Sequence, residues 1–192
     1  MVISKLSMPE LNNRNFNHLK IHTQYSICEG AIKIDNLKDF CKENKIPCLG
    51  LSDTSNLCGA LEFAENISKV GTQPIIGTQI YFRFEDTTGL IPLIALNEKG
   101  YKRIIELSSR SYLENDALSD PHLDIKELLI DTEGVLLFSG TIQGLFGKLF
   151  EKGRLDEISK IYKSLSSKLK DNFYLEIQRH GDQNEIAFEK FN

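Results

Sequence analysis

Apolar positions along this chain recur in blocks that alternate between a period near two and a period near 3.6 residues, the signatures of strand and helix. Phe16 to Ile21 reads as a short strand. A helix from Asp35, as its cap, to about Asn44 would carry Leu37, Phe40 and Cys41 on one face. Pro47 to Leu51 reads as an apolar strand that ends in Ser52 and Asp53. A helix starting at Asn56 or a neighbour places Leu57, Leu61, Ala64 and Ile67 at helical spacing, and Gly71 suits its C-terminal cap. Two strands follow, Pro74 to Phe84 and Leu90 to Leu96, then a helix from about Glu98 to Leu113. Gly134 to Phe138 reads as a strand that Gly140 breaks. Helices over Thr141 to Glu151 and Leu155 to Lys170 precede a last strand, Phe173 to Gln178.

Strands alternating with helices predict βα units and a mostly parallel sheet or barrel. Six strands at this spacing fit an α/β barrel better than a five-stranded open sheet. Residues 1–15, with Pro9, Asn12, Asn13 and Asn15, read as a flexible lead-in. Gly181 to Asn192 is polar and ends without a capping glycine, so the chain is expected to be a piece of something longer.

With 192 residues, 41% hydrophobic and 26% charged, the chain is long enough for one core-forming domain. A net charge of −4 lacks the basic excess with which proteins neutralise phosphates, so the main DNA-binding surface of any parent protein is expected elsewhere. Cys28, Cys41, Cys48 and Cys58 lack CxxC spacing. The polar start lacks the apolar core of a signal peptide. Both points favour a cytoplasmic location with free, mostly buried thiols. The sequence contains no apolar run near the roughly 20 residues that span a bilayer.

In parallel α/β folds, sites gather at the C-terminal ends of strands. His18 and His22 flank the end of the first strand and Glu29 comes next, Asp53, Thr54 and Asn56 follow the second strand and His180 the last, while Gln79 lies within the third and Thr141 beyond the fifth. By ligand type alone, His18, His22, Glu29 and Asp53 suit a transition metal. Against that, His18, Lys20 and His22 would share one strand face, with an ammonium in the middle that opposes a cation. Asp53 to Asn56 reads equally as an Asx turn leading into the next helix.

The stretch His18-Leu-Lys-Ile-His-Thr-Gln-Tyr-Ser-Ile-Cys-Glu-Gly-Ala31 resembles the opening motif of the PHP (polymerase and histidinol phosphatase) domain found in bacterial polymerase III alpha subunits. Leu51-Ser-Asp-Thr-Ser-Asn-Leu-Cys-Gly-Ala-Leu-Glu-Phe63, Pro74-Ile-Ile-Gly-Thr-Gln79, Asn97-Glu-Lys-Gly-Tyr101 and Tyr174-Leu-Glu-Ile-Gln-Arg-His-Gly181 match in kind and order. The resemblance implies a distorted TIM-like barrel of seven βα units, incomplete here, with residues 16–192 as a PHP domain truncated at its C-terminal end.

Active members of that family hold a metal cluster and hydrolyse phosphoesters. This sequence departs from their pattern. The family's His-x-His pair falls on Lys20 and His22, its acid before glycine on Glu29, and its Asp-His pair on Asp53 and Thr54. Its third-segment acid falls on Gln79, a further histidine on Leu90 and its cysteine on Thr141. The resemblance therefore implies the degenerate branch. There the domain binds no metal, has no catalytic residue of its own and keeps a vestigial pocket of His18, Lys20, His22, Glu29, Asp53, Thr54, Asn56, Gln79, Thr141 and His180. Lys20 is expected beside Glu29 or Asp53, replacing a metal electrostatically. The parent chain would be a DNA-directed DNA polymerase using Mg in a separate palm domain. Its expected partners are a proofreading exonuclease subunit and the other polymerase III holoenzyme subunits, with DNA bound outside these residues. The rival expectation is an active metal-dependent phosphoesterase or 3'–5' exonuclease that gathers metal on His22, Glu29, Asp53 and His180.

Overall fold

The computed structural model describes residues 16–116 and 118–192, so the expected lead-in of residues 1–15 lies outside the described residues. The strands are β1 (Cys48–Thr54), β2 (Gln73–Phe84), β3 (Thr87–Ala95), β4 (Leu123–Asp124), β5 (Val135–Phe138) and β6 (Phe173–Tyr174). The helices are α1 (Ile34–Asn44), α2 (Ala60–Ser68), α3 (Glu98–Leu113), α4 (Leu145–Glu151), α5 (Leu155–Leu169) and α6 (Glu185–Phe191). One sheet runs in the order β1-β2-β3-β5-β6, with β4 pairing on β2.

Among the described strands, β3 alone runs against its neighbours. It pairs antiparallel with both β2 and β5, while β1–β2, β2–β4 and β5–β6 are parallel. The reason is local. Only Glu85 and Asp86 separate β2 from β3, and Glu85 adopts φ 52° to turn the chain back. A connection this short cannot carry the crossover that a parallel neighbour needs.

Two cores flank the sheet. Ile34, Leu37 and Cys41 of α1 fall at i, i+3 and i+7 and bury against Leu49 and Leu51 of β1 and Phe63 and Ile67 of α2. The larger core joins Ile80, Phe82, Ile91 and Leu93 of the hairpin to Ile104 and Leu107 of α3, Phe146 and Leu149 of α4, and Leu165 of α5. Asn97 caps α3 by accepting from the Gly100 backbone N–H at 3.0 Å.

Several boundaries move from their sequence expectations. Lys33, not Asp35, is the N-cap of α1, and Asp35 instead places a negative charge in the first turn. The second helix begins at Ala60, four residues past Asn56, and the α4 helix begins at Leu145 because Thr141 to Gly144 forms a turn. Phe40 and Leu61 lie outward, exposed. Cys41 alone among the four thiols is buried, and Cys28 and Cys58 are exposed because they sit in connecting loops.

The first expected strand is reduced to a bridge between Ile21 and Leu51. The segment still runs beside β1, with Gly50 N–H donating to the His18 carbonyl at 2.7 Å and Ile21 N–H to the Gly50 carbonyl at 3.0 Å, and Gly50 allows its close approach, since a Cβ there would come within 2.4 Å of the Leu19 carbonyl oxygen. The last strand keeps only Phe173 and Tyr174 in the ladder, because the Ser139 hydroxyl accepts the next inward N–H, that of Glu176, at 2.9 Å.

Candidate functional site

A cleft of about 880 Å³ opens between the middle of β2 and the loops that follow the C-terminal ends of β5 and β6, in part where the strand-end rule places a site. Lys20, His22, Glu29, Gln79, Thr141 and His180 line it, so six of the ten residues singled out from sequence converge. Leu90 of β3 also faces it.

Asp53 does not line the cleft. Its carboxylate is fully buried beneath the loop that follows Ile21 and ties that loop down. Oδ1 accepts from the Thr23 backbone N–H and the Ser26 hydroxyl, both at 2.6 Å, and Oδ2 accepts from the Thr23 hydroxyl at 2.7 Å. Three donors occupy the two oxygens. Asn56 forms the Asx turn that Asp53 to Asn56 suggested: its Oδ1 accepts from the Cys58 N–H at 3.0 Å, and its amide donates to the Tyr25 and Thr54 carbonyls. His18 lies away from the cleft, exposed, with its ring edge-on to Phe16 at 4.8 Å between centroids.

On the cleft wall the register of β1 and β2 sets Thr54 beside Gln79. The Gln79 amide donates to the Thr54 hydroxyl at 2.7 Å, and that hydroxyl donates in turn to Glu29. A neutral relay thus joins the only carboxylate of the three to its neighbours. Thr141 opens the turn before α4, where its carbonyl accepts from Gly144 at 2.9 Å. The His180 backbone N–H donates to the Glu185 carboxylate, which fixes the far rim and holds the Glu185 carboxyl below its ordinary range.

Lys20 pairs with neither Glu29 nor Asp53. Its ammonium meets Glu176 Oε1 at 2.9 Å, 156 residues away. Glu176 was not among the residues expected from sequence, although a signal existed. Leu175 and Ile177 are exposed and Glu176 and Gln178 less so, the alternation of a strand with one polar face inward. His22 lies between the charges. Burial, then the Lys20 ammonium, pushes its imidazole below its ordinary value, against the weaker upward pull of Glu29 and Asp53. Its Nδ1 is buried without a hydrogen-bond partner among the described residues.

This donor set does not fit the metal cluster of the family it resembles. A cluster needs several anionic or imidazole donors with free lone pairs on one small volume. Asp53 is buried and already engaged by three protein donors, and Thr54 and Gln79 are neutral and bonded to each other. Lys20 adds a positive charge beside His22. Among the described residues, no group of three or more His, Cys, Asp and Glu side chains converges as a metal centre would require.

Residues 18–180 match the PHP domain family. The DNA polymerase III subunit alpha of Caulobacter vibrioides is 36% identical over 191 residues, covering 95% of this chain and 17% of that protein. The corresponding subunit of Rickettsia felis is 34% identical over 166 residues, 86% of this chain and 14% of that protein. That of Vibrio cholerae is 29% identical over 184 residues, 94% of this chain and 16% of that protein. The chain thus spans 14 to 17% of the length of these curated relatives. A solved structure from Bifidobacterium adolescentis, named for a metal-dependent phosphoesterase, superposes with a TM-score of 0.55 over 91% of this chain and 82% of that one. At 13% identity it shows a shared fold and nothing finer. The match over residues 18–180, on top of five motifs in order and a cleft partly at the strand ends, makes this chain a member of the PHP domain family.

Proposed function

We propose that this chain is the PHP domain of a DNA polymerase III alpha subunit in which the old metal cleft serves as scaffold. The observation that carries the reading is the Gln79–Thr54–Glu29 relay beside a buried Asp53 that accepts from three protein donors: hydrogen bonds within the protein occupy the positions at which the family binds its metals. Without a bound metal to lower the pKa of water, the cleft lacks the family's route to a nucleophile near neutral pH. The parent protein is a cytoplasmic DNA-directed DNA polymerase that uses Mg at aspartates elsewhere in the chain. This domain stabilises it and docks a proofreading exonuclease subunit and other holoenzyme subunits. The net charge of −4 agrees with DNA being held mainly by other parts.

The full-length parent, purified and analysed for metals, should extend a primed template with Mg and show no stoichiometric Zn or Mn attributable to this domain. It should also retain the exonuclease subunit on co-purification. The rival reading, an active phosphoesterase, draws on the unpartnered Nδ1 of His22 at the cleft wall. Manganese-dependent phosphatase activity that disappears in His22→Ala would establish the rival and end the scaffold reading.

A further inference from the structure

The ladder runs from the Ile21 segment through β1, β2, β3 and β5 to β6, so Lys20 and Glu176 belong to its opposite ends. Their side chains nonetheless meet at 2.9 Å. The two ends of a linear strand order can touch only if the sheet is curled round on itself, as in a barrel. The ion pair lies across that seam.

We propose that the Lys20–Glu176 pair is a strap that closes the sheet, an ammonium and a carboxylate holding its first and last segments together. This rests on the scaffold reading of the cleft. Both side chains are largely removed from water, 19% and 13% exposed, so the pair is screened less than a surface ion pair. The strap is anchored at its far end, because the Glu176 backbone N–H donates to the hydroxyl of fully buried Ser139. The second carboxylate oxygen, Oε2, is buried without a partner among the described residues. Lys20 is therefore the charge that answers Glu176, and removing it leaves a lone buried carboxylate, the costly case for an ion pair. Leu175 and Ile177 face outward on either side, which directs Glu176 inward to the seam.

Hydrogen exchange on the full-length protein, read in peptides spanning residues 16–23 and 173–180, tests the strap. Lys20→Met and Glu176→Gln should each raise exchange in both peptides on the order of ten-fold, leaving peptides of α3 unchanged. The charge-reversed pair Lys20→Glu with Glu176→Lys should restore protection in both. Should Lys20→Met fail to fold, Lys20→Arg and the reversed pair carry the test, and both must fold with protection near that of the parent. Unchanged exchange in the single variants, or a reversed pair no better than either single, overturns the proposal. Metal content, measured on the same samples, tests the scaffold reading separately: bound metal with an intact strap would sink that reading and leave the ion pair standing.

Discussion

Asp53 and His22 stand within one loop of each other, yet the fold uses them differently. Asp53 holds three buried donors, which lose their acceptor once the carboxylate is gone. Asp53→Ala should lower stability by about 3 kcal/mol or more, the cost of leaving several buried donors unpaired, seen as a lower urea midpoint. A loss under about 1 kcal/mol would mean that water replaces the carboxylate and that the loop does not depend on it. His22 is held neutral by burial and by Lys20, so its folded pKa lies below the unfolded value of 6.5. The unfolded chain then takes up a proton that the folded chain resists. The stabilising effect of neutral His22 is complete above 6.5 and declines as the pH falls through 6.5 towards the folded value. His22→Gln should therefore flatten the loss of stability between about pH 7.5 and about pH 5.5. An equally steep loss in the variant would place the sensitivity on another group.

The elements that were legible are those whose burial is one-sided. α3 shows its stripe of Ile104 and Leu107 directly in the sequence, and its observed bounds, Glu98–Leu113, are the expected ones. The hairpin was legible as two strands but not in direction, because the βα rhythm elsewhere suggested parallel pairing while the two residues Glu85 and Asp86 signal a tight turn. The last strand is shorter than expected for a reason outside it, because the Ser139 hydroxyl takes the Glu176 N–H. Propensity cannot register such contacts. A close approach fixes α3 to β5. A Cβ on Gly100 would fall 1.8 Å from the Gly134 carbonyl oxygen, which itself accepts from Leu96 N–H at 2.8 Å. Backbone cannot yield as a side chain can. Gly100→Ala, favourable for a helix taken alone, should instead lower Tm by roughly 5–10 °C in calorimetry, the scale of an overpacked contact. A rise in Tm would show that α3 slides along the sheet without cost.

On the scale of the whole molecule, the strand-end rule located the cleft in part, and Lys20, His22, Glu29, Gln79, Thr141 and His180 line it. It could not separate the residues that face the cleft from those that brace it. Asp53 lies at a strand end too, yet its carboxylate turns under the loop, and that orientation depends on Thr23 and Ser26, which sequence spacing does not link to it. Nor could it find Glu176, whose relation to Lys20 exists only once the sheet curls. The scaffold reading, in which protein groups hold the cleft without metal, has a thermodynamic consequence. A metal that binds only the folded state adds stability in proportion to the logarithm of its concentration over its Kd, about 2.7 kcal/mol at a hundred-fold excess. For a domain of this size such a gain would raise Tm by roughly 5–10 °C, and a chelator would remove it. With Asp53 buried and engaged by three donors, Thr54 and Gln79 neutral and an ammonium at the seam, neither addition should act. EDTA and millimolar Mn or Zn should each leave the melting of this domain within about 1 °C of the metal-free value, followed by differential scanning calorimetry. A rise of several degrees with Mn, reversed by EDTA and abolished in His22→Ala, would mean that the relay opens to admit a cation and that the cleft still binds metal.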